Sequence, residues 1–256
     1  MKSATINRDS VRRRALKSLF AHEMDDVRDL GQLIERLLKK EVESLSAMIN
    51  GKTSCLPFPD RDELLGWYDG DVYQLSREFP RIQRYALFAT VMGMIENHLH
   101  FLCKHAQQVC NIEIAASDLN GKGAIRSITY LTKACRFRIR TGLSSEIDHL
   151  TMMQKIRNVI VHSDGILPDN ELATIQQYRK RCPHFDISDR NQIQPRESFL
   201  NIVIHIAQLL FTVIIAEIEE AERRAQQGGG EVRLTLRGQS PLTADVCARH
   251  GARLKG

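Results

Sequence analysis

Apolar residues in this chain recur every three or four positions, not every second one, and that spacing commits nearly all of it to helix. The clearest run is Leu16, Leu19, Phe20, Met24, Val27, Leu30, Ile34, Leu37 and Leu38, which predicts a first helix from about Arg8 to Ile49. In "NGKTSCLPFPD" the breakers Asn50, Gly51, Pro57 and Pro59 are expected to end it in a loop. A shorter helix is expected from Asp60 to Glu78. After Pro80 a strong one should reach Val109, with Phe88, Met92, Ile95, Leu99, Leu102 and Ala106 on one face at the centre of the core. Ser117 to Gly123 reads as a turn, "AIRSITYLTKACRF" as a helix and "RTGLSS" as a second turn. Glu146 to His162 reads as a helix that Gly165 stops in the left-handed conformation. An irregular charged region then leads to Pro195, which should start a last helix reaching Gln227.

No repeat interrupts this pattern, and the expected architecture is all-α, an antiparallel helical bundle in three parts. Residues 1–50 form the long N-terminal helix, 60–227 the helical domain, and 228–256 a Gly- and Arg-rich tail expected to be flexible, with one short strand at Val232 to Leu236. A length of 256 residues with 43% hydrophobic content is enough for one sizeable core. The net charge of +5 permits a polyanionic partner without requiring one. Six cysteines lie far apart with no C-x-x-C pair, which argues against zinc knuckles and disulfide frameworks and for reduced thiols in a cytoplasm. The charged N-terminus has no apolar stretch behind it and does not read as a secretory signal. Phe199 to Ile218 is long enough to span a bilayer. Asn201, His205 and Gln208 share one face of it, however, and would be costly in lipid, so a core or dimer helix is expected and no membrane partner. His205 reads as a hydrogen-bonded core histidine.

Three polar residues break the apolar run in "KIRNVIVHSDG", Lys155 to Gly165. Asn158 and His162 are four apart and project from one helix face, while Arg157 on the flank can reach round to them. His162 lies in the last helical turn, at the negative end of the helix dipole, which suits a proton donor. The bland alternative keeps all three structural: Arg157 paired with Glu146 or Glu96, Asn158 capping a turn, His162 on a backbone carbonyl. Arg179 to His184 has the same arginine-to-histidine spacing, but it reads "RKRCPH", and Pro183 breaks any helix that could align the pair. It reads as surface charge.

R-N-x-x-x-H followed by S-D-G resembles the signature of the HEPN superfamily, many of whose helical domains are ribonucleases. "SDLNGKGAIRSITYLTKACRF" is similar to the helix those domains carry before the motif, and "YALFATVMGMIENHLHFLC" to their earlier long helix with its acidic residue, here Glu96. The resemblance covers roughly Tyr85 to Ile218 and implies a HEPN-like bundle. It further implies RNA as substrate, a homodimer with a composite site, and a toxin or phage-defence setting with an antitoxin or other regulatory protein as a further partner.

Arginine, asparagine and histidine suit that chemistry without a metal. When a 2′-hydroxyl of RNA attacks the adjacent phosphate, one proton must leave the attacker, one must reach the departing 5′-oxygen, and a crowded dianion must be held. Histidine exchanges protons near neutral pH, and arginine offers a permanently charged fork for phosphate oxygens. The expected catalytic set is Arg157, Asn158 and His162, with Glu96 orienting Arg157 across the core. One histidine per chain leaves acid or base missing, so two copies facing across a two-fold axis would complete the site. Phosphate-loop, H-E-x-x-H and G-x-S-x-G motifs are absent from the sequence, and "CPH" at Cys182 to His184 is too slight for a metal site, so neither cofactor nor metal is expected. The competing reading is a HEPN-like domain that binds nucleotide, RNA or a partner protein without cutting, and behind it a helical scaffold.

Overall fold

A computed structural model describes residues 8–235, with side chains described for 18–227. The chain is mostly α, as its periodicity requires. Helix α1 (Arg8–Thr53) runs against a long rod made of α2 (Phe58–Tyr73), a π-helical turn (Gln74–Glu78) and α3 (Phe79–Val109). Then follow α4 (Gly123–Lys133), α5 (Ile139–Ser163), α6 (Asp169–Arg181), strands β1 (Phe185–Ile187) and β2 (Ile193–Pro195), and α7 (Phe199–Thr235).

The core is built around α3, which touches α1, α4, α5 and α7. Phe88, Met92, Ile95, Leu99 and Ala106 are fully buried, so the predicted face is the one that packs. Helix α1 contributes Phe20 and Met24 to the same core and therefore belongs to this body. The junction of α1, α3 and β2 is closed by a charged cluster. Arg84 donates from Nε and Nη2 to the Glu35 carboxylate at 2.6 and 2.8 Å, and from Nη1 to the Pro195 carbonyl at 2.9 Å. Gln83 adds a third donor to Glu35, whose buried charge is thereby compensated.

Beyond that junction α1 and α2 continue as a two-helix arm. Helix α2 packs on α1 and the π turn, and neither α2 nor the turn has a buried residue. Asn50 and Gly51 do not break α1, which ends at Thr53; the Thr53 hydroxyl donates to the Ile49 carbonyl at 2.8 Å. Pro57 instead takes the N-cap position of α2, and Pro59 fits its first turn, where the missing N–H costs nothing.

Four local expectations are corrected. "RTGLSS" holds a break, but a kink and not a full turn: α5 already starts at Ile139, two helical runs meet at Leu143, whose backbone leaves the helical region at φ −132°, and buried Ile139 and Ile147 hold the two sides in the core. The charged region after Gly165 contains α6, anchored by Ile175 and Tyr178, and an antiparallel hairpin pairing Phe185 with Pro195 and Ile187 with Ile193. Pro195 is therefore strand, and α7 starts at Phe199. Helix α7 also continues through Gly228–Gly230 to Thr235, so the strand expected from Val232 is helical that far. Propagating a formed helix costs about 1 kcal/mol per glycine, whereas a lone strand gains nothing without a partner. The rest of the expected tail, 236–256, lies outside the described residues, as do 1–7.

The hairpin is fastened by charge. Asp186 accepts from Arg196 Nε at 2.7 Å and Arg179 Nη2 at 2.6 Å, tying β1 to α6 and to the approach of α7. Chiefly through Arg196, these bonds hold its carboxyl below the usual value of 3.8. With the folded value depressed, the stabilisation is complete above the unfolded value and is lost as pH falls through the folded one. Asp186→Asn should therefore lower the melting temperature at pH 7 and flatten the loss of stability below pH 4, as read by thermal melts across pH.

Candidate functional site

The end of α5 is the most constrained backbone near the motif. Asp164 turns left-handed at φ 48°, and its N–H and that of Gly165 both reach the Val159 carbonyl. The expected stop thus begins one residue earlier than Gly165, which follows at φ 78°. A Cβ on Gly165 would fall on the Tyr85 hydroxyl, well inside van der Waals contact. Tyr85 is buried, its hydroxyl donates to the Ile193 carbonyl at 2.5 Å, and burial pushes its pKa up to about 12.

Asp164 is held from two further sides. Arg81 Nη1 donates to its carboxylate at 2.9 Å while Nη2 holds Glu78 at 2.6 Å, and the guanidinium lies over the Tyr85 ring. Gln192 Nε2 donates to the Asp164 carbonyl at 2.9 Å, and Ile193 N–H donates to the Gly165 carbonyl at 2.9 Å. The start of α3 and the hairpin thus fix the last turn of α5. Sequence reasoning found the S-D-G stop but missed Arg81, Tyr85 and Gln192. Only Pro80, which opens α3, hinted that its start mattered.

Arg157, Asn158, Val161 and His162 occupy the outward half of α5, while Ile156, Val159 and Ile160 fill the core behind them. Arg157 is half-buried and donates from Nη1 to Asn158 Oδ1 at 3.2 Å. Its Nε is enclosed and finds no protein acceptor. The bland pairing of Arg157 with Glu96 or Glu146 is not formed among the described residues. His162 is exposed and has no hydrogen-bond or ion-pair partner among the described residues. Val161 and Ile166 flank it at 50% and 51% exposure.

Glu96 stands apart. It accepts from Gln154 Nε2 at 3.5 Å, and both side chains crowd Gly123 at the start of α4, where φ is 58°. Its described partner therefore sits one turn before Arg157, and the orienting contact expected across the core goes to Gln154 instead.

The remaining candidates separate as well. Arg179 pairs with Asp186, and His184 Nδ1 lies 2.9 Å from Ser198 Oγ, so the second arginine–histidine pair is split between α6 and the hairpin. His205 is exposed, which corrects its reading as a core histidine. Val203, Ile204, Ile206, Ala207 and Leu210 take the buried positions of α7 and turn Asn201 and His205 outward. By length and composition Phe199–Gln227 is apolar enough to cross a membrane, and half of its most apolar window is buried in the bundle. The five cysteines among the described residues are free, and no group of three or more metal-ligating side chains gathers there.

Compared with known proteins, the chain matches no family model, no curated protein and no solved structure.

The stop of α5 yields a stability test. Gly165→Ala should cost about 2 kcal/mol or more, from a strained φ and the collision with Tyr85. Combined with Tyr85→Phe it should recover only part of that, because the φ strain remains. Urea denaturation of the three proteins measures both effects.

Proposed function

We propose that this chain is a metal-independent endoribonuclease of the HEPN type, acting in a reducing cytoplasm as a toxin or defence effector. The observation that carries this reading is the contrast within one helix end: Arg157 is half-buried with its Nε enclosed, bonded to Asn158 and to no carboxylate among the described residues, while His162, four positions after Asn158, is open to solvent. A structural arginine in such a place would be expected to hold a carboxylate. A charge kept free, beside a histidine that no neighbour occupies, suits a phosphate and a proton transfer.

In the proposed reaction Arg157 holds the non-bridging phosphate oxygens as charge builds in the phosphorane. Asn158 keeps the guanidinium in place. One His162 takes the proton from the attacking 2′-hydroxyl, and the His162 of a second copy gives one to the 5′-oxygen as the P–O5′ bond breaks. The products are a 2′,3′-cyclic phosphate and a 5′-hydroxyl. Exposed Val161 and Ile166 support a second copy at this end, since they offer it apolar contact beside the histidine. Glu96 has no step in this scheme.

The test is incubation with mixed RNA in EDTA. Wild-type protein should cut and leave cyclic-phosphate ends. His162→Ala should lose several orders of magnitude while keeping its helicity, Arg157→Lys should also fail because an ammonium lacks the planar fork, and His184→Ala should cut normally. Normal cutting by His162→Ala, or a magnesium requirement not explained by folding, sinks the assignment. Heterodimers of wild type with a His162→Ala, Arg157→Ala double variant should be strongly impaired; half-rate cleavage would place a complete site within one chain.

A further inference from the structure

Between Asp118 and Glu146 the chain has six basic residues and no acidic one. Lys122 immediately precedes α4, Arg126 and Lys133 lie on it, and Arg136, Arg138 and Arg140 follow it into the start of α5. Successive spacings of four and seven set Lys122, Arg126 and Lys133 on one face, while Ala124, Ile128 and Leu131 bury the opposite one. All but half-buried Arg126 are exposed, and none of the six side chains has an ion-pair or hydrogen-bond partner among the described residues. By contrast Arg28, Arg81, Arg84 and Arg196 each hold a carboxylate. We infer that this stripe is a track for the phosphate backbone of single-stranded RNA, leading to Arg157.

Its placement beside the motif is the first support. Gln154 Nε2 donates to the Lys122 carbonyl at 3.4 Å, and Arg157 follows Gln154 by three residues on the same side of α5. From there α4 runs back along α5, and Arg140 lies about 33 Å from His162 at 1.5 Å per residue. The stripe thus begins one turn from the arginine assigned to the phosphate and leads away from it. Arg136 is the second support. The Cys135 and Phe137 N–H groups close the end of α4 on the Tyr130 and Leu131 carbonyls, and the residue between them is left-handed at φ 58°. Glycine takes that position without strain, yet an arginine holds it.

The chemistry of the stripe selects its occupant. No large apolar side chain is exposed from Leu119 to Ser145, so a lipid surface or an apolar protein partner would find nothing to bury. Tyr130 and Phe137 are buried, which leaves no ring for base stacking and directs contact to phosphates. Glu96 and Glu217 touch the two ends of the stripe, but they are bonded to Gln154 Nε2 and to the Arg138 backbone N–H. The choice of RNA rests on the nuclease reading of Arg157 and His162. A single strand is required there, because in-line attack by a 2′-oxygen needs a backbone rotation that a duplex resists.

The test is binding of a dye-labelled, mixed-sequence RNA of about 12 nucleotides to the full-length His162→Ala protein in EDTA, read by fluorescence anisotropy between about 50 and 200 mM salt. The triple variant Lys122→Gln, Arg126→Gln, Lys133→Gln should bind at least about tenfold more weakly and lower the slope of log affinity against log salt by about 2, at about 0.7 per cation. Removing the same charge from the arm with Lys40→Gln, Arg61→Gln and Arg77→Gln should change binding less than about twofold. Arg136→Gly should weaken binding about threefold while keeping or raising the melting temperature, since it relieves the left-handed backbone. Equal weakening by the two triple variants, normal binding by the α4 triple or by Arg136→Gly, absence of RNA binding, or tighter binding to duplex RNA or phosphatidylserine vesicles than to the single strand overturns the inference. Cutting by the protein with His162 intact keeps the two proposals apart. If it cuts and the α4 triple binds and cuts equally well, the track alone is rejected; if it binds through the stripe and never cuts, the nuclease alone is.

Discussion

The close approach of Gly165 to Tyr85 is the contact on which the rest of the site depends. It admits no side chain at residue 165, so α5 stops at one place, and the position of His162 relative to α3 and the hairpin follows from it. A buried tyrosine then has its hydroxyl satisfied by the Ile193 carbonyl, and Ile193 N–H returns a bond to Gly165. These bonds link three segments far apart in sequence through one residue without a side chain. A histidine carried on a fraying helix end would sample many orientations. One carried two residues before a stop held by Arg81, Tyr85 and Gln192 is confined to few.

The sequence showed α3 and α7 well because their apolar positions are dense and regular, and such helices persist in almost any tertiary context. It showed the motif helix for the same reason, together with its polar interruptions. It did not show α6, whose two fully anchored residues Ile175 and Tyr178 are too few to set a period among charged neighbours. The hairpin was equally hidden, since three-residue strands carry no alternation to read and Pro195 resembles a helix start. The break at Leu143 was read as a full turn because Gly142 and two serines are local signals, whereas the burial of Ile139 and Ile147 on either side is a tertiary fact. The error over His205 has a related origin. An apolar helix with a polar stripe looks the same whether the stripe faces a partner, the core or water, and only the assembled bundle decides.

Two parts of the molecule differ in how they are held. The body around α3 has a continuous apolar core, and at its charged junction Arg84 is hydrogen-bonded to Glu35 of α1 and to the Pro195 carbonyl of β2. The arm of distal α1 and α2 has no buried residue on α2 and leaves Trp67 and Phe58 exposed, so its stability comes from helical hydrogen bonds and from α2 lying on α1 and the π turn. By that measure the arm is the part that opens at least cost, and the π turn at Gln74–Glu78 is where the rod passes from one regime to the other. Glu78 in that turn also holds Arg81, which holds Asp164. Disturbance of the arm can therefore reach the end of α5 through three side chains without crossing the core.

Arg157 shows where local consistency gives way. Enclosing the Nε of Arg157 without a protein acceptor costs about 1–3 kcal/mol, and a glutamate on the neighbouring helix could have removed that cost. Glu96 is the carboxylate closest in the sequence argument, yet it is engaged with Gln154 at the start of α4, where Gly123 makes room for it. The chain thus contains both the charge and the countercharge and keeps them apart. An arrangement that served stability alone would join them. Keeping Arg157 clear of carboxylates leaves its positive charge on the same helix as the exposed His162, and an anionic substrate can complete that balance. On the proposed reading the cost carried by the free arginine is recovered when a phosphate arrives, so Arg157 should contribute more to the bound state than to the fold.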